Sequence, residues 1–263
     1  MIKPKKSLGQ NFLIDQNIIK KITNLVEIKN KNVLEIGPGT GNLTANIVKQ
    51  NPKSLMLIEK DNKLSELLKI NFNNFKSVRV INQDILKFDI EKFIKKNTIV
   101  FGNLPYNIST QILINFIKFS TWPPPYEKLI FMFQKEVAEK FLVKFNSSKY
   151  SRLSIISKWR LEVVDHFSIS KNSFYPKPSV ESILLVFKPI VNKKFKITKI
   201  QNLENITQSF FSSKRKMINK SFSKLFDNYE DVARKLDLDL SKRPSQLSAD
   251  DYFKITELFE KKF

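Results

Sequence analysis

Residues 33–44, VLEIGPGTGNLT, constrain the fold of this 263-residue chain more than any other segment. An apolar run typical of a buried strand ends at Gly37, and three of the five glycines in the chain lie at 37, 39 and 41. Glycine lets the backbone turn sharply and approach a ligand closely, where a Cβ atom would clash. The segment therefore predicts a strand, a ligand-binding loop and a helix, with a purely structural turn as the alternative.

Short apolar, β-rich runs alternate with helix-like segments from residue 33 to residue 187. The apolar runs are 33–37, 55–59, 78–82, 98–102, 129–133, 156–164 and 182–187, and the helix-like segments include 42–50, 61–71 and 108–119. Several runs are continuously apolar, which is typical of strands buried on both faces of a parallel sheet. The alternation predicts an α/β fold with a doubly wound, Rossmann-like sheet. The last two runs have no long helix between them and are expected to form an antiparallel edge pair.

The pattern changes after Pro189. Residues 200–226 and 248–261 are amphipathic and predict helices, and residues 189–196 combine a proline with lysines and predict a linker. We therefore expect an α/β domain over residues 1–190 and a small helical domain over residues 191–263.

The charge of the chain favours a polyanionic partner. The net charge is +21 and the isoelectric point is about 9.9, which creates a strong positive field. The alternative is a general lysine enrichment of the kind that AT-rich genomes produce. Between residues 188 and 224, however, ten basic residues accompany one acid, Glu204, whereas a solvated face interleaves the two signs. This local excess favours a surface that contacts phosphates.

Several classes of chemistry are not expected. The chain has no cysteine, which excludes disulfides, thiolate nucleophiles and cysteine-type zinc sites. Its single histidine, His166, has no acid–nucleophile pair near it in sequence and is interpreted as structural, and no metal site is expected. No run of eighteen apolar residues and no secretory signal is evident, so we expect a cytoplasmic protein with no membrane association.

The Glu-x-Gly-x-Gly-x-Gly spacing of residues 35–41 resembles motif I of class I methyltransferases rather than a dinucleotide fingerprint. The resemblance implies that Gly37, Gly39 and Gly41 hold the methionine part of S-adenosyl-L-methionine.

Two carboxylates at strand ends are compatible with the adenosyl part of such a cofactor. Glu59 ends the next predicted strand and can accept hydrogen bonds from both ribose hydroxyls. Asp84 follows the third strand and can accept from the adenine amino group, while Ile85 packs on the ring. Each acid alone is equally compatible with a solvated charge. Three strand ends at one crevice favour a cofactor site.

The fourth predicted strand ends in Asn103-Leu104-Pro105-Tyr106, which resembles motif IV of amino-methyltransferases. The lone pair of adenine N6 is delocalised into the ring, so this amine is a poor nucleophile. If the Asn103 side-chain oxygen and the Leu104 carbonyl accept its two hydrogens, the lone pair can point at a methyl donor. Pro105 stiffens the loop, and Tyr106 can stack on a base that has been flipped out. A proline turn with a packed tyrosine is the alternative.

Together these motifs resemble the bacterial ribosomal RNA small-subunit adenine dimethyltransferase family over nearly the full chain. The matching segments are KSLGQNFL (6–13), EIGPGTG (35–41), IEKD (58–61), NLPYNIST (103–110), FQKEVAEK (133–140), FYPKPSVES (174–182), FFSSKRKMINKS (210–221) and RPSQLS (243–248). The chain departs from the family pattern at Gln111, Lys177, Ser179 and Lys214.

The resemblance implies a function and further site residues. The family transfers two methyl groups to each of two adjacent adenosines near the 3′ end of 16S rRNA and acts as a late checkpoint in small-subunit assembly. The implied additional cofactor contacts are Asn11, Leu13 and Asn103, and the implied second aromatic wall opposite Tyr106 is Phe174. RNA contacts are expected from the C-terminal domain at Lys214, Arg215, Lys216 and Lys220. The protein is expected to be a monomer that binds the small subunit or its late precursor.

Three other functions stay open on the sequence. Antibiotic-resistance methyltransferases share these motifs but modify large-subunit RNA. A non-catalytic RNA-binding assembly factor would keep the fold without the reaction, although intact Asn103 and Tyr106 favour an enzyme. A DNA adenine methyltransferase is the third alternative.

Overall fold

The computed structural model describes residues 4–192 and 194–262, which form two compact units. The first unit contains the described residues up to Ala138 together with Val163–Pro189, and the second contains Glu139–Glu162 and the described residues from Ile190 onward. This division differs from the expected boundary at residue 190 in one segment, because residues 139–162 group with the C-terminal unit. The assignment of residues 1–190 and 191–263 to separate functions stays a prediction.

The strands of the described chain are β1 (Phe12–Leu13), β2 (Asn32–Ile36), β3 (Ser54–Glu59), β4 (Val78–Asn82), β5 (Thr98–Gly102), β6 (Tyr126–Gln134), β7 (Leu161–Ile169), β8 (Phe174–Tyr175) and β9 (Ser182–Pro189). Seven of them form one mixed sheet in the order β4-β3-β2-β5-β6-β9-β7. Strands β2 to β6 pair in parallel, and β9 is antiparallel to β6. The expected α/β fold is confirmed, and the last two predicted runs are neighbours at one edge of the sheet.

The helices follow the strands of the parallel part and then dominate the C-terminal unit. They are α1 (Gln16–Thr23), α2 (Asn42–Val48), α3 (Asn62–Asn71), α4 (Ser109–Ile117), α5 (Lys135–Leu142), α6 (Arg152–Arg160), α7 (Ile200–Phe211), α8 (Asn219–Phe222), α9 (Tyr229–Lys235) and α10 (Ala249–Lys261). Among the described residues, no helix combines the length and the apolar character that a membrane span needs.

The strand order places the site of the first unit. Chain order runs outward from β2 through β3 to β4 on one side, and from β5 to β6 on the other, so the order reverses between β2 and β5. In open α/β sheets, ligands bind at such a switch point, outside the carboxyl ends of the strands. The loops after β2, β3, β4 and β5 all start at this edge, and they carry the glycine loop, Glu59, Asp84 and the Asn-Leu-Pro-Tyr motif.

The second unit has its own apolar core. The rings of Phe210 on α7 and Tyr252 on α10 meet edge to face, with centroids 5.6 Å apart. The hydroxyl of Tyr252 donates to the carbonyl of Pro244 over 2.9 Å, which satisfies a polar group inside this core. Phe222 of α8 is fully buried, so even this short helix is anchored by an aromatic side chain.

Two predicted elements are wrong. Residues 156–160 belong to helix α6 instead of a strand, and β7 begins only at Leu161. The backbone N–H of Ser151 donates to the Ser154 hydroxyl over 3.1 Å and starts the helix. The apolar residues Ile155, Ile156 and Trp159 are then buried at helical spacing.

The predicted helix over residues 200–226 is also interrupted. It ends at Phe211, and residues 212–218 form an exposed turn before α8, apart from buried Ile218. Ser212 and Ser213 favour turns, and the adjacent cations Lys214, Arg215 and Lys216 repel each other. Helix α9 was not predicted.

Candidate active site

The glycine loop lies between β2 and α2 at the switch point of the sheet. Gly37 and Gly39 have φ angles of 66° and 58°, a conformation that favours glycine. A Cβ atom on Gly39 would lie 2.8 Å from Cδ1 of Phe12, so the loop packs too closely on β1 for any side chain. The loop therefore presents backbone to a pocket that also includes Glu59, Asp84 and Asn103.

Gly41 has another role in the structure. Its φ angle of 83° starts helix α2, and a Cβ atom there would lie 3.0 Å from the Leu68 and Phe72 side chains. Gly41 does not belong to the pocket lining among the described residues, whereas Gly37 and Gly39 do. Its predicted cofactor contact stays a prediction, and the structure gives it a packing role between α2 and α3.

Glu59 is held at the end of β3 by two backbone donors. The N–H of Gly39 donates to Oε2 over 3.1 Å, and the N–H of Asp61 donates to Oε1 over 2.8 Å. Burial raises the pKa of this carboxyl, and the two backbone N–H groups oppose that effect. Each oxygen keeps lone-pair capacity for a ligand hydroxyl. The arrangement fits a diol such as a ribose ring.

Asp84 follows β4 and forms an ion pair with Lys60 over 2.8 Å, while its other oxygen accepts from the Leu86 N–H over 3.0 Å. The Lys60 ammonium lowers the pKa of this carboxyl, so Asp84 is a carboxylate near neutral pH. Ile85 lines the same pocket, and its packing on a base stays a prediction.

The N-terminal segment closes one side of this pocket. Ser7–Leu13 all line it. The backbone carbonyl of Leu13 accepts from the Asn42 side chain over 2.8 Å, and Lys5 pairs with the buried carboxylate of Asp61 over 2.7 Å. The predicted residues Asn11 and Leu13 therefore lie in the pocket with the strand-end acids. The Lys5–Asp61 pair had no sequence signal, because its partners are far apart in the chain.

The side chain of Asn103 has a defined orientation. Its Nδ2 donates to the backbone carbonyl of Asn11 over 2.8 Å. Because the amide nitrogen is engaged there, Oδ1 is the atom available as an acceptor. The sequence motif predicts the same atom as the acceptor for the amine of a target adenine.

Tyr106 is anchored through its hydroxyl. The hydroxyl oxygens of Tyr106 and Ser182, the first residue of β9, lie 2.7 Å apart. Burial raises the pKa of Tyr106, so the phenol is neutral at physiological pH. Leu104 is buried, and together with Pro105 it lines the pocket between Asn103 and Tyr106.

Phe174 lies in the hydrophobic core of the first unit and is 3% exposed. It pairs with Leu13 in the two-stranded sheet β1–β8, and it does not line the described pocket. The predicted role of Phe174 as a wall opposite Tyr106 stays a prediction.

Glu35 is a site residue whose role was not expected. It is 2% exposed under the glycine loop, lines the pocket, and accepts a hydrogen bond of 2.6 Å from the Thr44 hydroxyl. Burial raises the pKa of Glu35 to about 8, and the charge of Glu59 adds to this effect. Glu35 is therefore mainly protonated at neutral pH.

The predicted RNA-contacting residues belong to the second unit. Lys214, Arg215 and Lys216 are exposed in the turn after α7, and Lys220 is exposed on α8. Lys214 donates to the carbonyl of Ser148 over 2.7 Å, which positions one end of this turn. We call residues 214–216 the basic turn.

Comparisons with known proteins identify the family of this chain. The family model of ribosomal RNA adenine dimethylase matches residues 1–261. The ribosomal RNA small subunit methyltransferase A of Pelagibacter ubique (strain HTCC1062) is 47% identical over 98% of both chains. The protein of the same name from Malacoplasma penetrans (strain HF-2) is 35% identical over 95% of this chain and 90% of its own.

Solved structures give the same result for the fold. A dimethyladenosine transferase from Plasmodium falciparum superposes with a TM-score of 0.81 and 28% identity, over 95% of this chain and 98% of its own. The 23S rRNA methyltransferase ErmE superposes with a TM-score of 0.70 over 95% and 99%, and at 19% identity it is similar in fold alone. With the site and the full-length match together, the chain belongs to the ribosomal RNA adenine dimethylase family.

Proposed function

We propose that this protein transfers methyl groups from S-adenosyl-L-methionine to N6 of adenosines in 16S rRNA of the small ribosomal subunit. As expected from the sequence, the targets are two adjacent adenosines near the 3′ end, each of which becomes N6,N6-dimethyladenosine. The observation that carries this proposal is the orientation of Asn103, whose Oδ1 is left available beside the adenosyl-type pocket.

The pocket has the groups that such a cofactor needs. Gly37 and Gly39 give a backbone cradle, and the Phe12 ring leaves no room for a Cβ on Gly39. Glu59 would accept from the ribose hydroxyls, and Asp84 with Ile85 would bind the adenine, while Asn11, Leu13 and Asn103 complete the lining. When bound, the cofactor supplies an electrophilic methyl group.

The residues of the chain then act on the target amine. Asn103 Oδ1 and the Leu104 carbonyl accept the two N6 hydrogens and draw the lone pair out of the ring plane. Pro105 stiffens the loop directly after these acceptors, and Tyr106, held by Ser182, stacks on the flipped base. After transfer the cationic nitrogen is acidic and releases its proton without a strong base. A monomethylated amine still has one hydrogen, so a single acceptor is enough for the second transfer.

The exposed basic turn and Lys220 provide cations for RNA phosphates. We infer a role in late small-subunit assembly, with the particle or its precursor as the partner. The monomeric state and the cytoplasmic location stay predictions.

The proposal is tested by offering three substrates with labelled S-adenosyl-L-methionine: unmethylated small subunits, large-subunit RNA and duplex DNA. Product on small subunits supports the proposal. Product only on large-subunit RNA, or only on DNA, would show that the proposed substrate is wrong. Binding to small subunits without any product would support the assembly-factor alternative.

A further inference from the structure

We call residues 175–181, which lead from the end of β8 to β9, the rim segment. Its amino end is linked through strand β1 to Asn103, the proposed acceptor of the target amine. Tyr175 is paired with Phe12 in the β1–β8 ladder. Phe12 directly follows Asn11, whose carbonyl accepts the 2.8 Å hydrogen bond from Asn103. The rim segment therefore begins beside the residue that orients the amine acceptor.

The carboxyl end of the rim segment is tied to the other residue of the motif. It leads into Ser182, whose hydroxyl lies 2.7 Å from that of Tyr106. Glu181, the residue before Ser182, is fixed as well, because its carbonyl accepts from the N–H of Lys135 over 3.0 Å. Both ends of the rim segment are thus attached to the groups proposed to hold the target base.

Tyr175 is the exposed aromatic side chain of this segment. Successive residues of a strand point to opposite faces, and in β8 Phe174 is 3% exposed while Tyr175 is 51% exposed. Within residues 4–192 and 194–262, the Tyr175 side chain makes no hydrogen bond, ion pair or ring contact. Lys177, two residues further on, is also exposed. The rim segment therefore presents an open ring and a cation next to the active site.

An aromatic ring beside a cation is suited to a nucleotide with an unstacked base. When one adenosine enters the pocket, the adjacent base loses a stacking neighbour and exposes a face of its own. On the basis of the proposed function, we propose that Tyr175 stacks on the nucleobase adjacent to the target adenosine, with Lys177 close to the phosphate that follows. The rim segment is then a second base-binding subsite that positions the pair of adenosines.

The test compares methyl transfer to unmethylated small subunits by wild type, Tyr175→Ala and Tyr175→Phe. Loss of a stacked ring should raise the KM for the particle roughly tenfold, with a smaller change in kcat, whereas Tyr175→Phe keeps the ring and should behave like wild type. Affinity for S-adenosyl-L-methionine should be unchanged in both. Phe75→Ala is the matched control, because Phe75 is 45% exposed and lies between α3 and the edge strand β4, outside the pocket lining.

The partner base is identified with reconstituted small subunits in which an abasic nucleotide replaces the adenosine next to the target. On this substrate, wild type and Tyr175→Ala should have the same KM, because the stacking partner is gone. A wild-type KM for Tyr175→Ala on the normal particle would overturn the inference while leaving the proposed function intact. A tenfold difference in KM between wild type and Tyr175→Ala that persists on the abasic particle would show that Tyr175 does not stack on the adjacent base. Absence of product with wild type would remove the proposed function and this inference with it.

Discussion

The side-chain amide of Asn103 donates to the backbone carbonyl of Asn11, although the two residues are 92 positions apart. This bond fixes which end of the amide faces the pocket. An asparagine that is free to rotate would present its nitrogen as often as its oxygen, and the nitrogen would repel an amine donor. The N-terminal segment therefore does more than line the pocket, because it sets which end of the Asn103 amide faces it.

Asn103→Ala should lower kcat for methyl transfer by about two to three orders of magnitude, as expected for removal of one preorganised acceptor. Binding of the particle should survive, because the basic turn is unchanged. Steady-state kinetics and a binding titration on unmethylated small subunits check both parts. A kcat near that of wild type would show that the assigned acceptor is wrong.

Asn103→Asp tests whether an acceptor oxygen at residue 103 is enough, or whether the amide must also be oriented by its hydrogen bond to Asn11. A carboxylate cannot donate to the Asn11 carbonyl, and its oxygen would be repelled at the 2.8 Å separation of the native pair. We expect kcat to fall by at least tenfold, although an acceptor oxygen is still present. Retention of full activity would mean that the Asn11 contact has no part in orienting residue 103.

The Tyr106–Ser182 contact should behave as a single unit in a double-mutant cycle. Ser182→Ala and Tyr106→Phe should each lower kcat by roughly two- to tenfold, the range expected for one hydrogen bond. The double variant should be no worse than either single variant, since both remove the same bond. Additive losses would instead indicate that the two hydroxyls act independently.

Glu35 should make stability depend on pH in a definite direction. Its pKa in the folded state is raised from 4.5 to about 8, so its contribution to stability is complete below 4.5 and is lost as the pH rises through 8. Glu35→Gln removes this loss, and we expect the variant to gain about 2–5 kcal/mol relative to wild type between pH 5 and pH 9. Chemical unfolding at several pH values measures the difference.

The control for this experiment is Glu66→Gln, at an exposed position on α3. Its stability relative to wild type should stay constant over the same range. If Glu35→Gln also shows a constant difference, Glu35 is ionised in the folded protein at neutral pH, and the protonated state inferred from its burial is wrong.

The basic turn should determine part of the salt dependence of RNA binding. Replacing Lys214, Arg215 and Lys216 with Ala should weaken binding and reduce the slope of log affinity against log salt by about two, because each phosphate contact contributes roughly 0.7 to 0.9. The matched control replaces the exposed lysines Lys76, Lys95 and Lys96 of the first unit. Equal slopes for the two triple variants would show that the turn reflects general lysine enrichment.

The parallel part of the sheet was predictable from sequence because its strands are short β-rich runs, several of them continuously apolar, that end in a polar motif. The buried run TIVFG coincides with β5, and the alternating run VRVIN coincides with β4. Since parallel strands share a carboxyl edge, the motifs after them had to meet there. The residues that adjust this site were not predictable in the same way. Ser182 and Tyr106 are 76 positions apart, and no local pattern joins them.

The wrong strand assignment has a local cause. The run Ile-Ser-Lys-Trp-Arg has β-prone residues, but Ser151 and Ser154 start a helix before it. The role of Phe174 as an aromatic wall, which the family resemblance implies, stays a prediction, and the β1–β8 ladder places its side chain in the hydrophobic core. In that ladder the exposed aromatic is its neighbour Tyr175, which a sequence pattern alone could not distinguish from it.

The most direct test of the proposed reaction is methyl transfer to unmethylated small ribosomal subunits, followed by mass spectrometry of the nucleosides. We predict N6,N6-dimethyladenosine with the wild-type protein and its near-complete loss with Asn103→Ala at equal particle binding. No dimethyladenosine with the wild type, or equal amounts with the variant, would contradict the proposed reaction and the role of Asn103 in it.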